Sequence, residues 1–171
     1  MKTIYYYQSF VGLDKLLTHI EDIDVIIVSS IHFGKGGTKP EPFTLNEQKP
    51  YIHLNNNEPN DKIFDELWLQ TKEASVQGTT IMLMMGGAGG AYGELFSDFN
   101  TYYPLLVKLI NDRPWIKGID LDIEENATLD NVQMLIRKLV EDFGTDFIIT
   151  MAPISPSLQN DGGSMAGSLS C

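Results

Sequence analysis

The sequence predicts an α/β protein built on a parallel sheet, and two observations support this prediction. Apolar runs such as VIIV and TTIMLMM alternate along the chain with segments of helical periodicity. Strands that are apolar on both faces are typical of a parallel sheet, because helices cover both of its sides. The alternation fits either an open doubly wound sheet or a (β/α) barrel.

The first half of the chain contains two predicted strands, at 4–9 (IYYYQS) and at 24–33, with a short helix at 13–20 between them. Residues 34–59 are rich in Gly, Pro and Asn, and only 51–54 alternates within them. This segment therefore predicts a long loop that contains a hairpin.

The second half repeats the pattern with clearer boundaries. Asn60 or Asp61 suits the N-cap of its first helix, and Gly78 and Gly144 end two of its helices. The predicted elements are helices at 61–76, 95–111 and about 130–143, and strands at 79–85, 116–124 and 146–152. The whole order is βαβαβαβαβ.

Composition and charge narrow the choice of partners. The 171 residues are 43% hydrophobic and 20% charged, as in ordinary globular proteins, with a formal net charge of −11. Because phosphate groups repel so acidic a surface, nucleic acid and anionic membranes are disfavoured. No apolar run reaches bilayer length and no signal peptide is visible, so we expect an intracellular protein or one whose export signal has been removed.

The sequence predicts no metal and no cofactor. Its single cysteine, Cys171, excludes an internal disulfide, and its three histidines, His19, His32 and His53, are too scattered for a zinc site. The glycine cluster GGAGGAYG has Tyr92 where a dinucleotide-binding G-x-G-x-x-G would need its third glycine. A nucleotide-binding sheet is therefore disfavoured.

The segment IKGIDLDIEE at 116–125 alternates apolar and acidic side chains. As a strand, it has Ile119, Leu121 and Ile123 on one face and Asp120, Asp122 and Glu124 on the other. A solvated surface strand would explain the alternation, but both faces of a parallel sheet are covered. Because buried unpaired charges are costly, we expect the three carboxylates to share protons and hydrogen bonds inside a functional site.

Three segments occur in an order that matches a known enzyme family. GIDLDIE at 118–124 resembles the DGxDxDxE signature of glycoside hydrolase family 18, the chitinases and related endo-β-N-acetylglucosaminidases. MMGG at 84–87 resembles the family's SxGG motif on the third barrel strand, and AGGAY at 88–92 resembles its hevamine-related plant and fungal class. TMAP at 150–153 is similar to the end of its fifth strand.

The resemblance implies a (β/α)8 TIM barrel of which this chain covers about the first five strands with their helices. Residues 1–171 are then expected to be a catalytic domain that is incomplete at its C-terminus. The family's tyrosine on the sixth strand and tryptophan on the eighth have no counterpart here. Lys117 also stands where the signature often begins with Asp.

The resemblance also implies catalytic roles. Glu124 would protonate the leaving oxygen and then activate water, Asp122 would orient the substrate's acetamido group, and Asp120 would share a proton with Asp122. Like-charge coupling and burial are expected to keep Glu124 protonated near neutral pH.

Met84 replaces the serine of SxGG, so Asp120 needs another partner, for which Tyr5 or Tyr7 is predicted. Gly86 and Gly87 form either a flat strand end for close substrate approach or a tight turn. The side chains at strand ends, Phe33, Tyr92 and Met151, are expected either to line the cleft or to pack in the core. The predicted substrate-binding residues are Tyr5, Tyr7, Phe33, Gly86, Gly87, Tyr92 and Met151.

The activity implied is hydrolysis of β-1,4-N-acetylglucosaminide bonds, with chitin or a GlcNAc oligosaccharide as partner. An endo-β-N-acetylglucosaminidase acting on N-glycans is equally compatible with the motifs. A non-catalytic, lectin-like barrel is a further alternative, against which the retained Glu124 counts.

Overall fold

The computed structural model describes residues 1–9, 12–34 and 50–152. Its strands are β1 (Ile4–Tyr7), β2 (Val25–Gly34), β3 (Tyr51–Leu54), β4 (Thr80–Gly86), β5 (Ile116–Asp122) and β6 (Ile148–Met151). Its helices are α1 (Asp14–Leu17), α2 (Asp65–Val76), α3 (Tyr92–Ser97), α4 (Phe99–Asn111) and α5 (Leu129–Phe143), with 3-10 turns at Ile20–Asp22 and Lys62–Phe64.

Five of the strands form a parallel sheet in the order β1-β2-β4-β5-β6, which confirms the predicted α/β class. The sixth, β3, pairs antiparallel with the end of β2. Ile31 of β2 pairs with Met85 of β4 and with Leu54 of β3. Therefore β3 occupies the same edge of β2 as β1, beyond the point where β1 ends.

The register assigns each strand side chain to one of two faces, because paired residues of parallel strands share a face. The face covered by the helices forms the main core, with strand residues that include Ile26, Val28, Leu83, Ile119 and Leu121, each 0% exposed. We call the opposite face the inner face. Its apolar residues form a second cluster of Val25, Ile27, Met82 and Met84.

Two predicted helices differ from the observed ones. The helix predicted at 95–111 is divided into α3 and α4 at Asp98, whose carboxylate accepts hydrogen bonds from the Thr101 N–H and hydroxyl at 3.3 and 2.7 Å. Because Asp98 caps α4, a new helix begins there. The helix predicted at 13–20 is reduced to Asp14–Leu17. Within the described ranges, no helix is long and apolar enough to cross a membrane.

Candidate active site

The acidic stripe runs along β5 from the interior to the carboxyl end of the sheet. Asp120 is only 1% exposed, Asp122 is half-buried, and Glu124 is exposed just beyond the end of the strand. On the other face, Ile119, Leu121 and Ile123 lie in the helix-covered core, as the alternation predicted. The three carboxylates therefore occupy three different environments.

Two hydroxyl groups hold the buried carboxylate of Asp120. The Tyr6 hydroxyl donates to Asp120 Oδ2 at 2.9 Å, and the Thr150 hydroxyl donates to Oδ1 at 2.5 Å. Burial, followed by the hydrogen bond to Asp120, raises the pKa of Tyr6 to about 12. The tyrosine therefore keeps its proton and remains a donor at neutral pH.

The prediction that Tyr5 or Tyr7 supports Asp120 is wrong, because Tyr6 does so. Tyr6 pairs with Ile27, which places it on the inner face. Tyr5 and Tyr7 have the opposite parity, so they lie on the helix-covered side, where Tyr7 is only 4% exposed. Both residues are therefore removed from the expected substrate-binding set.

The Tyr6–Asp120 contact also shows that the sheet is strongly curved. Neighbouring strands lie about 4.8 Å apart, so β1 is roughly 14 Å from β5 along the sheet. A hydrogen bond of 2.9 Å across that span requires the intervening strands to bend around the inner face. The curvature is that of a barrel wall, in which inward side chains converge.

Met84 lies beside Asp120 in the register but does not support its carboxylate. The two residues are paired across β4 and β5. Met84 Sδ instead accepts a hydrogen bond from the Ser29 hydroxyl at 3.3 Å. The support expected from a serine at position 84 is thus supplied by the hydroxyls of Tyr6 and Thr150. Thr150 could have been found from the sequence, because it lies in the TMAP segment.

Gly86 and Gly87 hold the backbone of Asp122. A Cβ on Gly86 would lie 2.1 Å from the Asp122 carbonyl oxygen, and the Gly87 N–H donates to that oxygen at 2.9 Å. Their φ angles of +104° and +84° favour glycine. The pair forms a tight turn and also permits close approach, although the approaching group is the backbone of β5.

Burial, and then the charges of Glu124 and Asp120, raise the pKa of Asp122 above its ordinary value of 3.8. A proton is therefore held at Asp122 more tightly in the folded chain than in the unfolded one. From the sequence, burial and like-charge coupling were expected to act on Glu124, whereas Glu124 is exposed and the raised pKa is that of Asp122.

We expect Asp122→Asn to raise the free energy of unfolding at pH 7 by roughly a few tenths of a kcal/mol, because solvent screens the charge of a half-buried carboxylate. The folded state disfavours ionised Asp122, so the gain is present above the raised pKa and disappears as the pH falls below the ordinary value of 3.8, where the carboxyl is protonated in both states. Urea unfolding at pH 3.5 and pH 7 measures it, with the exposed Asp146→Asn as control. An equal gain at both pH values would contradict the coupling.

Two adjacent glutamates, Glu124 and Glu125, follow the end of β5, and the structure gives them different surroundings. The carboxylate of Glu125 accepts hydrogen bonds from three consecutive backbone N–H groups, those of Ala91, Tyr92 and Gly93, the last two at 2.6 and 2.9 Å. Glu124 makes no side-chain hydrogen bond to any residue in the described ranges, and its side chain is exposed. Sequence reasoning missed Glu125, since nothing local marks it.

The remaining predicted cleft residues, Tyr92, Met151 and Phe33, pack against the core. Tyr92 is fully buried and its hydroxyl donates to the Met85 carbonyl oxygen at 2.9 Å. Met151 pairs with Leu121, so it lies on the helix-covered face. Phe33 is 5% exposed and packs edge-on against Tyr102 with ring centroids 5.6 Å apart. The structure therefore does not bring Phe33 and Met151 to the carboxylates. Tyr92 does lie near them, because the charges of Asp122 and Asp120 add to burial in raising the pKa of its hydroxyl.

One group of side chains in the described ranges lies close enough to share a cation. His19, Glu21 and Asp22 are exposed around the 3-10 turn before β2, at the opposite end of the strands from Glu124. Exposed acidic groups of this kind are common without an ion. We assign the group no role.

Tyr6→Phe should lower the free energy of unfolding by about 1–2 kcal/mol, because it removes a donor from a buried carboxylate. Urea unfolding at neutral pH and low protein concentration measures the change. Tyr5→Phe is the matched control, since it removes the same hydroxyl from the other face of the same strand. Equal effects of the two substitutions would show that the bond to Asp120 does not contribute.

The fold and the site together define a class of protein. A curved parallel sheet carries helices outside, acidic groups on its inner face and a glycine-rich turn at the carboxyl ends of its strands. That arrangement is typical of enzymes built on (β/α) barrels, whose active sites lie at this end.

Solved structures identify the family that this arrangement resembles, although the sequence matches no family model and no curated protein. A chitinase from Aspergillus fumigatus is 28% identical, with a TM-score of 0.78 over 92% of this chain and 56% of its own. A fungal endo-β-N-acetylglucosaminidase of glycosyl hydrolase family 18 is also 28% identical, with a TM-score of 0.80 over 99% of this chain and 60% of its own. A family 18 chitinase from Pseudoalteromonas aurantia, 22% identical with a TM-score of 0.70, supports the fold alone.

By fold and by motif, this chain resembles the family 18 glycoside hydrolases, which confirms the resemblance first seen in the three motifs. It has the α/β fold of these TIM-barrel enzymes. It spans 56% and 60% of the first two chains that it matches.

Proposed function

We propose that the acidic stripe belongs to a glycosidase that hydrolyses β-1,4-N-acetylglucosaminide bonds in chitin or chitooligosaccharides. The observation that supports this proposal most is the graded surroundings of the stripe along one strand. Asp120 is buried against two hydroxyl donors, Asp122 is half-buried with a raised pKa, and Glu124 is exposed at the end of the strand. Residues 1–171 are then part of a catalytic domain.

The chemistry proposed is substrate-assisted and retaining. The oxygen of the substrate's 2-acetamido group attacks the anomeric carbon while Glu124 protonates the departing glycosidic oxygen. An oxazolinium ion results, with Glu124 left ionised. Water then attacks the same carbon and gives its proton to Glu124, which restores the acid and the original configuration.

In this proposal Asp122 assists the attack. Its carboxylate would accept the acetamido N–H and so aim the acetamido oxygen at the anomeric carbon. Successive residues on the same face of a strand lie roughly 6.5 Å apart, so Asp122 is near both Glu124 and Asp120 without occupying the place of either. Asp120, fixed by Tyr6 and Thr150, would share a proton with it.

The substrate class can be chitin or an N-glycan, because the first two structural neighbours are a chitinase and an endo-β-N-acetylglucosaminidase. We place chitin first because it is a run of identical sugars, so the site needs to recognise only one kind of sugar unit. A lectin-like role requires no acid, and the accessible Glu124 counts against it.

Hydrolysis of GlcNAc tetramer tests the proposal, with the fully deacetylated glucosamine tetramer as the matched comparison. Only the acetylated oligomer carries the nucleophile, so we expect its kcat/KM to be higher by at least about a hundredfold on protein that contains a complete barrel. Comparable turnover of the two oligomers would contradict substrate assistance. Binding without any turnover would favour the lectin-like alternative.

A further inference from the structure

Glu125 joins the end of β5 to the segment that follows β4. Its Oε1 accepts the N–H groups of Ala91 and Tyr92, and its Oε2 accepts the N–H of Gly93. These amides lie at the start of α3, where backbone N–H groups have no partners within the helix. The three bonds cross 32–34 residues of sequence, so they are tertiary contacts.

Residues 87–90, which we call the glycine loop, make two further contacts with the sheet. The Gly87 N–H donates to the Asp122 carbonyl oxygen at 2.9 Å, and the Gly90 carbonyl oxygen lies 3.1 Å from His32 Nδ1. The loop is thus fixed between β2 and β5. Glu125 supplies the contact at its far end, where the loop becomes α3.

This contact has a consequence for the neighbouring glutamate. Glu124 directly precedes Glu125, just beyond the end of β5. Ile123 before it is 3% exposed in the core, and Glu125 after it is tied to three amides. Glu124 therefore lies between two anchored side chains, although its own carboxylate is exposed and makes no hydrogen bond to the described residues.

We propose that Glu125 is a positioning residue for the acid, an inference that rests on the glycosidase function proposed above. Its carboxylate takes no part in proton transfer. By binding the start of α3, it fixes the backbone that carries Glu124 and keeps the glycine turn against Asp122. Misplacing a reacting group by even about 1 Å can lower turnover substantially.

Amide hydrogen exchange on the 171-residue chain tests the contact itself. In Glu125→Ala, we expect the amides of Ala91, Tyr92 and Gly93 to exchange at least about tenfold faster than in the unsubstituted chain. Glu125→Gln keeps one oxygen, the one that accepts from Ala91 and Tyr92, so only the Gly93 amide should accelerate. Glu94→Gln is the control, because it changes a carboxylate on the same helix that accepts from the Tyr102 hydroxyl. Unchanged exchange in Glu125→Ala would overturn the proposal.

Kinetics on protein that contains a complete barrel test the consequence. Glu125→Ala should lower kcat for GlcNAc tetramer by about tenfold or more while KM changes less than about threefold, since orientation and not binding is lost. Glu125→Gln should recover part of the kcat. Faster exchange with an unchanged kcat would overturn the positioning role. Full turnover in Glu124→Gln would instead overturn the proposed function, whatever the exchange result.

Discussion

Glu124→Gln is expected to lower kcat for chitooligosaccharide hydrolysis by at least about a hundredfold on protein that contains a complete barrel. An amide has nearly the shape of the carboxyl group but cannot deliver its proton to the glycosidic oxygen. Glu124 is the exposed member of the stripe and makes no hydrogen bond to described residues that would occupy it. The substitution should therefore remove chemistry without disturbing the neighbouring fold.

A binding measurement distinguishes the loss of the acid in Glu124→Gln from a loss of structure. The Kd for a GlcNAc oligomer, measured by calorimetry, should stay within about threefold, because ground-state contacts are retained. Glu94→Gln should leave both quantities unchanged. Hydrolysis by Glu124→Gln at a near-normal rate would remove Glu124 from the role of acid.

The second large effect concerns the 171-residue chain by itself, from which we expect no detectable release of sugar from chitin or its oligomers. Three apolar or aromatic side chains of the inner face are exposed on the two outermost strands: Ile4 52%, Tyr6 45% and Ile148 40%. In the described residues, no strand pairs with the outer edge of β1 or of β6. A site open on this side admits water, which weakens the electrostatic coupling among its carboxylates.

Association should accompany the lack of turnover, because exposed strand edges and apolar patches pair with other chains. Light scattering at increasing protein concentration measures the association, and a fluorogenic GlcNAc oligosaccharide measures turnover on the monomeric fraction. Turnover that disappears in Glu124→Gln would show that the described part of the site is sufficient, and this prediction would be wrong.

The sequence predicted the acidic strand and its faces because two periodic signals agreed there. Alternation placed Ile119, Leu121 and Ile123 on one face, and the neighbouring apolar strands implied helices to cover it. The alternating carboxylates were therefore predicted to lie on the opposite face of the strand. The observed core contains all three apolar residues, and Asp120 is buried opposite them.

The first strand lacked such a signal. The run of three consecutive tyrosines has no alternation of apolar and polar residues. Parity therefore showed that Tyr5 and Tyr7 share a face, but it could not show which face that is. Only pairing with β2 places Tyr6 inward. Met151 was assigned to the cleft for a related reason, because no alternation marked the faces of β6. The residue of that strand that faces inward is its neighbour Thr150.

The role of Glu125 could not be predicted from local pattern at all. Its partners are backbone amides more than thirty residues earlier, and any helix start offers similar amides. Only the folded arrangement of β5 beside the glycine loop selects one of two adjacent glutamates for this contact. By contrast, Asp98 followed three residues later by Thr101 was a readable helix-cap signal within the predicted 95–111 helix.

The hydrogen bond between Tyr6 and Asp120 joins residues that are 114 positions apart. During synthesis the ribosome delivers β1 first, whereas β5 and β6 emerge only after most of the described sheet has been made. Closing so long a loop is entropically costly and comes late in folding. We therefore expect the Tyr6–Asp120 hydrogen bond to form late in folding, so that the Asp120 carboxylate lacks its tyrosine donor until β1 docks across the curve of the sheet.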